Sequence, residues 1–146
     1  MIDASVAVKW YIPEVLSHEA ALLLGQTREG EVTLLVPDLF FAEFGNVLWK
    51  KLGRNELDAE ITREILRSMA MSCPVKTVSC SLLAPAAFEI ALAFNRTVYD
   101  SLYVALAQSR QVPFITADER LVNALRQTPL GHVLRFLGDE NQWMIR

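Results

Sequence analysis

The feature that most constrains this chain is an alternation of short apolar runs, rich in β-branched residues, with segments of helical length. Val32-Thr33-Leu34-Leu35-Val36 closes at Pro37-Asp38, Val75-Lys76-Thr77-Val78 follows Pro74, and Pro113-Phe114-Ile115-Thr116 follows a polar break. Each reads as a buried strand. His132-Val133-Leu134-Arg135-Phe136 reads as a last edge strand before a polar tail, and residues 1–5 form a very short apolar start that ends at Asp3-Ala4-Ser5. Between them the spacing predicts helices over 17–28, 39–52, 58–72, 83–94, 100–111 and 119–126. Asp38 is placed to cap the second of these, and Gly53 with Arg54-Asn55-Glu56 joins the second and third into a hairpin. Continuous rather than alternating apolarity marks strands buried on both faces. The expected class is therefore α/β, a mainly parallel sheet with helices on either side.

The length of 146 residues matches one domain, expected over residues 1–146, with no repeat, linker or low-complexity stretch. Hydrophobic residues make up 52% of the chain and charged residues 21%, which supports a real core and excludes a disordered chain. A formal charge of −3 excludes a global basic field, so any nucleic-acid surface must be local. Two cysteines, Cys73 and Cys80, and two histidines, His18 and His132, do not make up a usual zinc site. They are expected as reduced thiols of a cytoplasmic protein, since the start Met1-Ile2-Asp3 carries no leader pattern and no apolar run has membrane-spanning length.

In open α/β sheets a ligand lies beyond the carboxyl ends of the strands. Asp3 ends the first strand, Asp118 follows Phe114-Ile115-Thr116, and Asp100 opens a helix after Asn95-Arg96-Thr97. Each has a plain structural account, a cap or a turn. Glu43 fits such an account worst. At 100° per residue it falls in the arc that holds Phe40, Phe44 and Leu48, where a carboxylate needs a cation, a metal or a donor. Taken together, four acids, three at one sheet edge and one on an inward helix face, would repel one another unless a divalent ion neutralised them. An all-oxygen cluster suits Mg²⁺ or Mn²⁺. The chemistry that uses such a cluster is in-line attack of water on a phosphodiester.

Three stretches carry a resemblance: Ile2-Asp3-Ala4-Ser5-Val6-Ala7-Val8-Lys9-Trp10; the Pro37-Asp38 helix start leading to Glu43 and Asn46-Val47-Leu48; and Tyr99-Asp100-Ser101-Leu102-Tyr103-Val104-Ala105-Leu106-Ala107 running on to Phe114-Ile115-Thr116-Ala117-Asp118-Glu119-Arg120-Leu121. The sequence resembles a PIN domain, and among these the toxin ribonucleases of the VapC type. The resemblance implies a three-layer α/β/α fold and an acidic metal site at Asp3, Glu43, Asp100 and Asp118. It implies Ser5 and Thr116 as hydroxyls that orient water or phosphate there. It further implies RNA cleavage with Mg²⁺ or Mn²⁺, a homodimer, and silencing by a cognate antitoxin. Only Met1 and Ile2 precede Asp3, fewer residues than such domains carry, so the expectation is either an upstream start or a loosely held Asp3.

For RNA contact the candidates are Lys9, Lys50, Lys51, Arg54 and Arg96, with Trp10 and Tyr11 able either to stack on bases or to pack inside. A haloacid-dehalogenase-like phosphatase needs a second Asp where Ser5 stands. A receiver domain needs paired early acids and a late lysine, and a nucleotide fold needs a Gly-rich loop after the first strand. None of these patterns is present. The remaining alternatives are a catalytically idle PIN-like binding or dimerisation module whose acids serve only as caps, and another Mg²⁺-dependent phosphotransfer enzyme.

Overall fold

A computed structural model of the chain describes residues 1–143. Two parallel strand pairs form its centre. Strand β1 (Leu34–Pro37) pairs with β2 (Val75–Val78), Leu34 opposite Val75, and β3 (Phe114–Thr116) pairs with β4 (Leu134–Phe136), Phe114 opposite Leu134. Met1 and Ile2 join the pairs. Ile115 donates its N–H to the Met1 carbonyl at 2.9 Å, Ile2 bridges Ile115 in parallel, and the Ile2 N–H reaches the Leu35 carbonyl at 3.4 Å.

The first strand, expected to be very short and to end at Asp3, is a single bridge at Ile2. Its shortness has a local cause: the Asp3 carboxylate accepts the N–H groups of Ser5 and Val6 and turns the chain at once into α1 (Ala4–Ala7). A 3₁₀ turn, Val8–Trp10, continues it.

Successive strand residues face opposite cores, as the pleat requires. Leu34 and Val36 enter one core and Leu35 packs against the other; Phe114 and Ile115 divide in the same way. One face is covered by α1, α2 (Ser17–Arg28), α3 (Phe40–Gly53) and α4 (Ala59–Ser72), through Val6, Leu23, Phe44, Leu48 and Met69. The other is covered by α5 (Cys80–Phe94), α6 (Val98–Arg110) and α7 (Glu119–Leu125), through Leu83, Ala87, Leu102, Leu106 and Leu125. Each fully buried Phe or Leu stabilises this arrangement by about 2 kcal/mol. The result is the three-layer α/β/α architecture expected from the continuously apolar strands.

Several helix starts differ from expectation, each for a reason in the capping chemistry. Asp38 does not cap α3, whose first flanking residue is Leu39 with no side-chain cap. Instead its Oδ1 accepts the Cys80 N–H at 3.0 Å. The parallel register sets Pro37 beside Val78, so the residues just past both strands meet. Helix α5 begins at Cys80 because Ser79 caps it, and α6 begins at Val98 because the Thr97 hydroxyl accepts the Asp100 N–H at 3.0 Å. The tail is not uniformly polar: Trp143 is buried and its indole N–H donates to the Leu137 carbonyl at 2.9 Å. Residues 144–146, the end of that expected tail, lie outside the described residues. Among the described residues no helix is long and apolar enough to cross a membrane, and both cysteines are free.

Candidate active site

Four segments far apart in sequence meet in an open pocket of about 230 Å³ whose lining includes Asp3, Ser5, Glu43, Asn46, Lys50, Asp100, Tyr103 and Asp118. Asp3 enters directly after the Ile2 bridge, Glu43 from the first turn of α3, Asp100 from the first turn of α6, and Asp118 from the cap of α7. All four acids singled out in the sequence are brought together.

Asp3 is held rather than loose. Its Oδ1 accepts the Ser5 N–H at 3.0 Å, the Ser5 hydroxyl at 2.5 Å and the Val6 N–H at 3.3 Å, while Oδ2 accepts the Thr116 hydroxyl at 2.5 Å. Nearby, the Met1 nitrogen donates to the Pro113 carbonyl at 2.7 Å. Burial pushes the Asp3 pKa up, and the donors from Ser5, Thr116 and Val6 only partly offset it.

Ser5 lines the pocket, as a group that orients water or phosphate would, but Thr116 occupies a different position. Thr116 is fully buried and does not line the pocket. Its hydroxyl donates to Asp3 and accepts the Asp118 N–H at 3.0 Å, and the Ser5 hydroxyl accepts the Ala117 N–H at 3.0 Å. The two hydroxyls therefore tie the acid on α1 to the acid after β3. Asp118 caps α7 through one oxygen, Oδ1, which accepts the N–H groups of Arg120 and Leu121. Asp100 does not cap its helix, since Thr97 does so, and its carboxylate lines the pocket.

Glu43 is half-buried and its pKa is raised, first by burial and then by the fields of Asp3 and Asp100, against a hydrogen bond from Tyr103. Tyr103 donates its hydroxyl to Glu43 Oε2 and is itself held by stacking on Phe114, the ring centroids 5.4 Å apart. The same burial, together with the Glu43 charge, raises the Tyr103 pKa, so the group stays a donor. Sequence reading had placed Tyr103 only on the buried face. Its spacing of three from Asp100 was the available signal, because i and i+3 share a helix side.

Among the described residues, no three His, Cys, Asp or Glu side chains are grouped so as to hold a metal ion directly. The donor set nonetheless has the chemistry of a Mg²⁺ or Mn²⁺ site. It is all carboxylate, and the charges of Asp3 and Asp100 raise the proton affinity of Glu43. Mg²⁺ keeps several waters and needs only one or two protein carboxylates.

The PIN domain family profile matches residues 1–126. This chain is a PIN domain. Ribonuclease VapC3 of Pyrobaculum aerophilum is 32% identical over 122 residues, covering 83% of this chain and 90% of that protein. Ribonuclease VapC1 of Mycobacterium tuberculosis is 33% identical over 88 residues, covering 60% of this chain and 65% of that protein. In three dimensions the chain is similar to the crystal structure of PAE2754 from Pyrobaculum aerophilum, with a TM-score of 0.60 and 23% identity over 84% of this chain and 76% of that one, a likeness of fold.

The basic residues of this PIN domain separate into groups. Lys50 lines the acid pocket one helical turn beyond Asn46. Lys9 and Lys51 are turned instead onto Glu14, at 2.7 and 2.9 Å, and their side chains are only 10% and 16% exposed. Glu14 is partly buried, which alone would raise its pKa; the bonds from Lys9 and Lys51 outweigh this and hold it low. Arg54 is exposed 3.8 Å from Glu56, and exposed Arg96 donates its Nε to the Asn95 carbonyl at 2.8 Å. Trp10 and Tyr11 pack against the core. The Trp10 indole N–H donates to the Ala20 carbonyl at 2.9 Å, and Tyr11 meets Phe44 edge-on.

Proposed function

We propose that this PIN domain is an endoribonuclease that hydrolyses RNA phosphodiester bonds with Mg²⁺ or Mn²⁺. In this reading it is the toxin of a toxin–antitoxin pair, a cytoplasmic homodimer silenced by its antitoxin. The observation that carries the reading is the convergence of Asp3, Glu43, Asp100 and Asp118 on one pocket that Lys50 also lines. The ribonuclease names of its sequence relatives support the substrate class.

Asp3, Glu43, Asp100 and Asp118 would hold the ion. A divalent cation bound there supplies Lewis acidity, lowering the pKa of attacking water and stabilising charge on the departing oxygen. The residues supply the rest. Thr116 and Ser5 fix the Asp3 carboxylate, so no reorganisation is needed when phosphate arrives. Tyr103 donates to Glu43 Oε2 and so fixes the orientation of that carboxylate. Lys50 offsets the anionic field that would otherwise turn RNA away.

The deciding experiment is cleavage of a total-RNA pool by the purified chain in Mg²⁺, Mn²⁺ or EDTA, beside Asp100→Asn prepared identically. Metal-dependent cuts absent from the variant are expected. Equal cleavage by both proteins would assign the activity to a contaminant. Failure of the wild type to cut in every condition would leave the idle binding module as the better account, with Asp3 and Asp118 acting as caps.

A further inference from the structure

Helix α3 presents one continuous face beside the start of α6, and its two halves differ in chemistry. Leu39, Ala42, Glu43 and Asn46 follow the three-and-four spacing of a single helix side, and with Tyr99 they line a second open cavity of about 340 Å³. Glu43 and Asn46 border this cavity and the acid pocket alike, and further along the same side Lys50 borders the acid pocket. The two cavities are adjoining halves of one trough, apolar toward the start of α3 and charged toward its end. Tyr99 directly precedes Asp100, is 62% exposed and belongs to neither core.

Resting on the ribonuclease reading above, we infer that the Tyr99 half of the trough is a subsite for one unpaired nucleobase next to the scissile phosphate. A strand whose phosphate lies among the acids and Lys50 carries its neighbouring base into the adjoining cavity. There the base stacks on the Tyr99 ring and is flanked by Leu39 and Ala42. The Asn46 amide, both donor and acceptor, stands at the junction of the two halves and meets the base's hydrogen-bonding edge. Stacking on the Tyr99 ring needs an unstacked base, so the subsite favours single-stranded RNA and gives Asn46 a part in base preference.

The test uses the full chain and synthetic single-stranded RNA containing a mapped cleavage site, with a second RNA that lacks the base next to the cut. Tyr99→Ala is expected to raise KM about tenfold, the loss falling on KM rather than kcat, and Tyr99→Phe to restore it. The abasic RNA should remove the difference between wild type and Tyr99→Ala, and Asn46→Ala should change which base is preferred there. Cleavage with unchanged KM in Tyr99→Ala overturns the subsite and leaves the ribonuclease standing. Unchanged KM together with altered sedimentation of Tyr99→Ala overturns it in favour of a contact between protein copies. No RNA cleavage by wild type overturns the ribonuclease reading and the subsite with it.

Discussion

Thr116 Oγ1 donates to Asp3 Oδ2 at 2.5 Å across 113 residues of sequence. Through the Ile2–Ile115 bridge these two residues leave the sheet side by side, so a buried hydroxyl at the end of one strand fixes an acid of the candidate metal site. Thr116→Val keeps the shape and removes the donor. It should lower stability by about 1 kcal/mol, because Asp3 loses a partner, and weaken Mn²⁺ binding and cleavage together. Urea unfolding and a Mn²⁺ titration measure this, and Thr116→Ser should recover most of both losses.

Tyr103→Phe isolates the bond to Glu43. The ring still stacks on Phe114, so the fold should persist. The hydroxyl favours ionised Glu43, so its removal raises the Glu43 pKa further. The acid limb of the pH–rate profile should move to higher pH, with kcat reduced. An unmoved limb would show that Glu43 does not set it.

In the metal-free protein Asp3 and Glu43 should together contribute less stability near about pH 7.5 than near about pH 5. Asp3 and Glu43 have native pKa values above their ordinary 3.8 and 4.5, so between those values and the native ones the folded state binds more protons than the unfolded one. Stability then falls as pH rises through that window. Glu14, held below its ordinary 4.5, acts in the opposite sense at lower pH, and so does the Met1 amino group, which burial lowers from 8.0 to about 6, between those two values. Asp3→Asn should flatten the slope, stabilise the metal-free chain at the higher pH and abolish cleavage, as read by urea midpoints at both pH values. A slope unchanged in Asp3→Asn would place its origin elsewhere.

Asp118 combines a cap with a carboxylate, and two substitutions separate the roles. Asparagine caps as well as aspartate, so Asp118→Asn should leave the melting temperature nearly unchanged while reducing cleavage. Asp118→Ala should in addition lose about 1 kcal/mol of stability. Cleavage at the wild-type level in Asp118→Asn would make Asp118 a cap alone.

Much of the candidate pocket was legible in the sequence. Glu43 stood out because a carboxylate in the arc of Phe40, Phe44 and Leu48 needs a partner, and Asp3, Asp100 and Asp118 because they follow or flank apolar runs. The bounds of α2 and β2 were legible too, since their signals lie within a few residues of one another. Asp38 was misread because its actual partner, the Cys80 N–H, is 42 residues away. Lys9 and Lys51 could not be separated from Lys50 by charge alone, because Glu14 claims the first two only once α3 packs beside the first turns.

Local order, then, is written in local pattern: helical spacing, strand apolarity and the hydroxyl and carboxylate caps act over three or four residues and can be read in place. What Asp3, Thr116 and Tyr103 do depends on tertiary structure. Their partners are supplied by the register of parallel strands and by the side of a helix that a neighbouring layer leaves open. Contacts across 60 and 113 residues are determined by the packing of the whole sheet and its two cores.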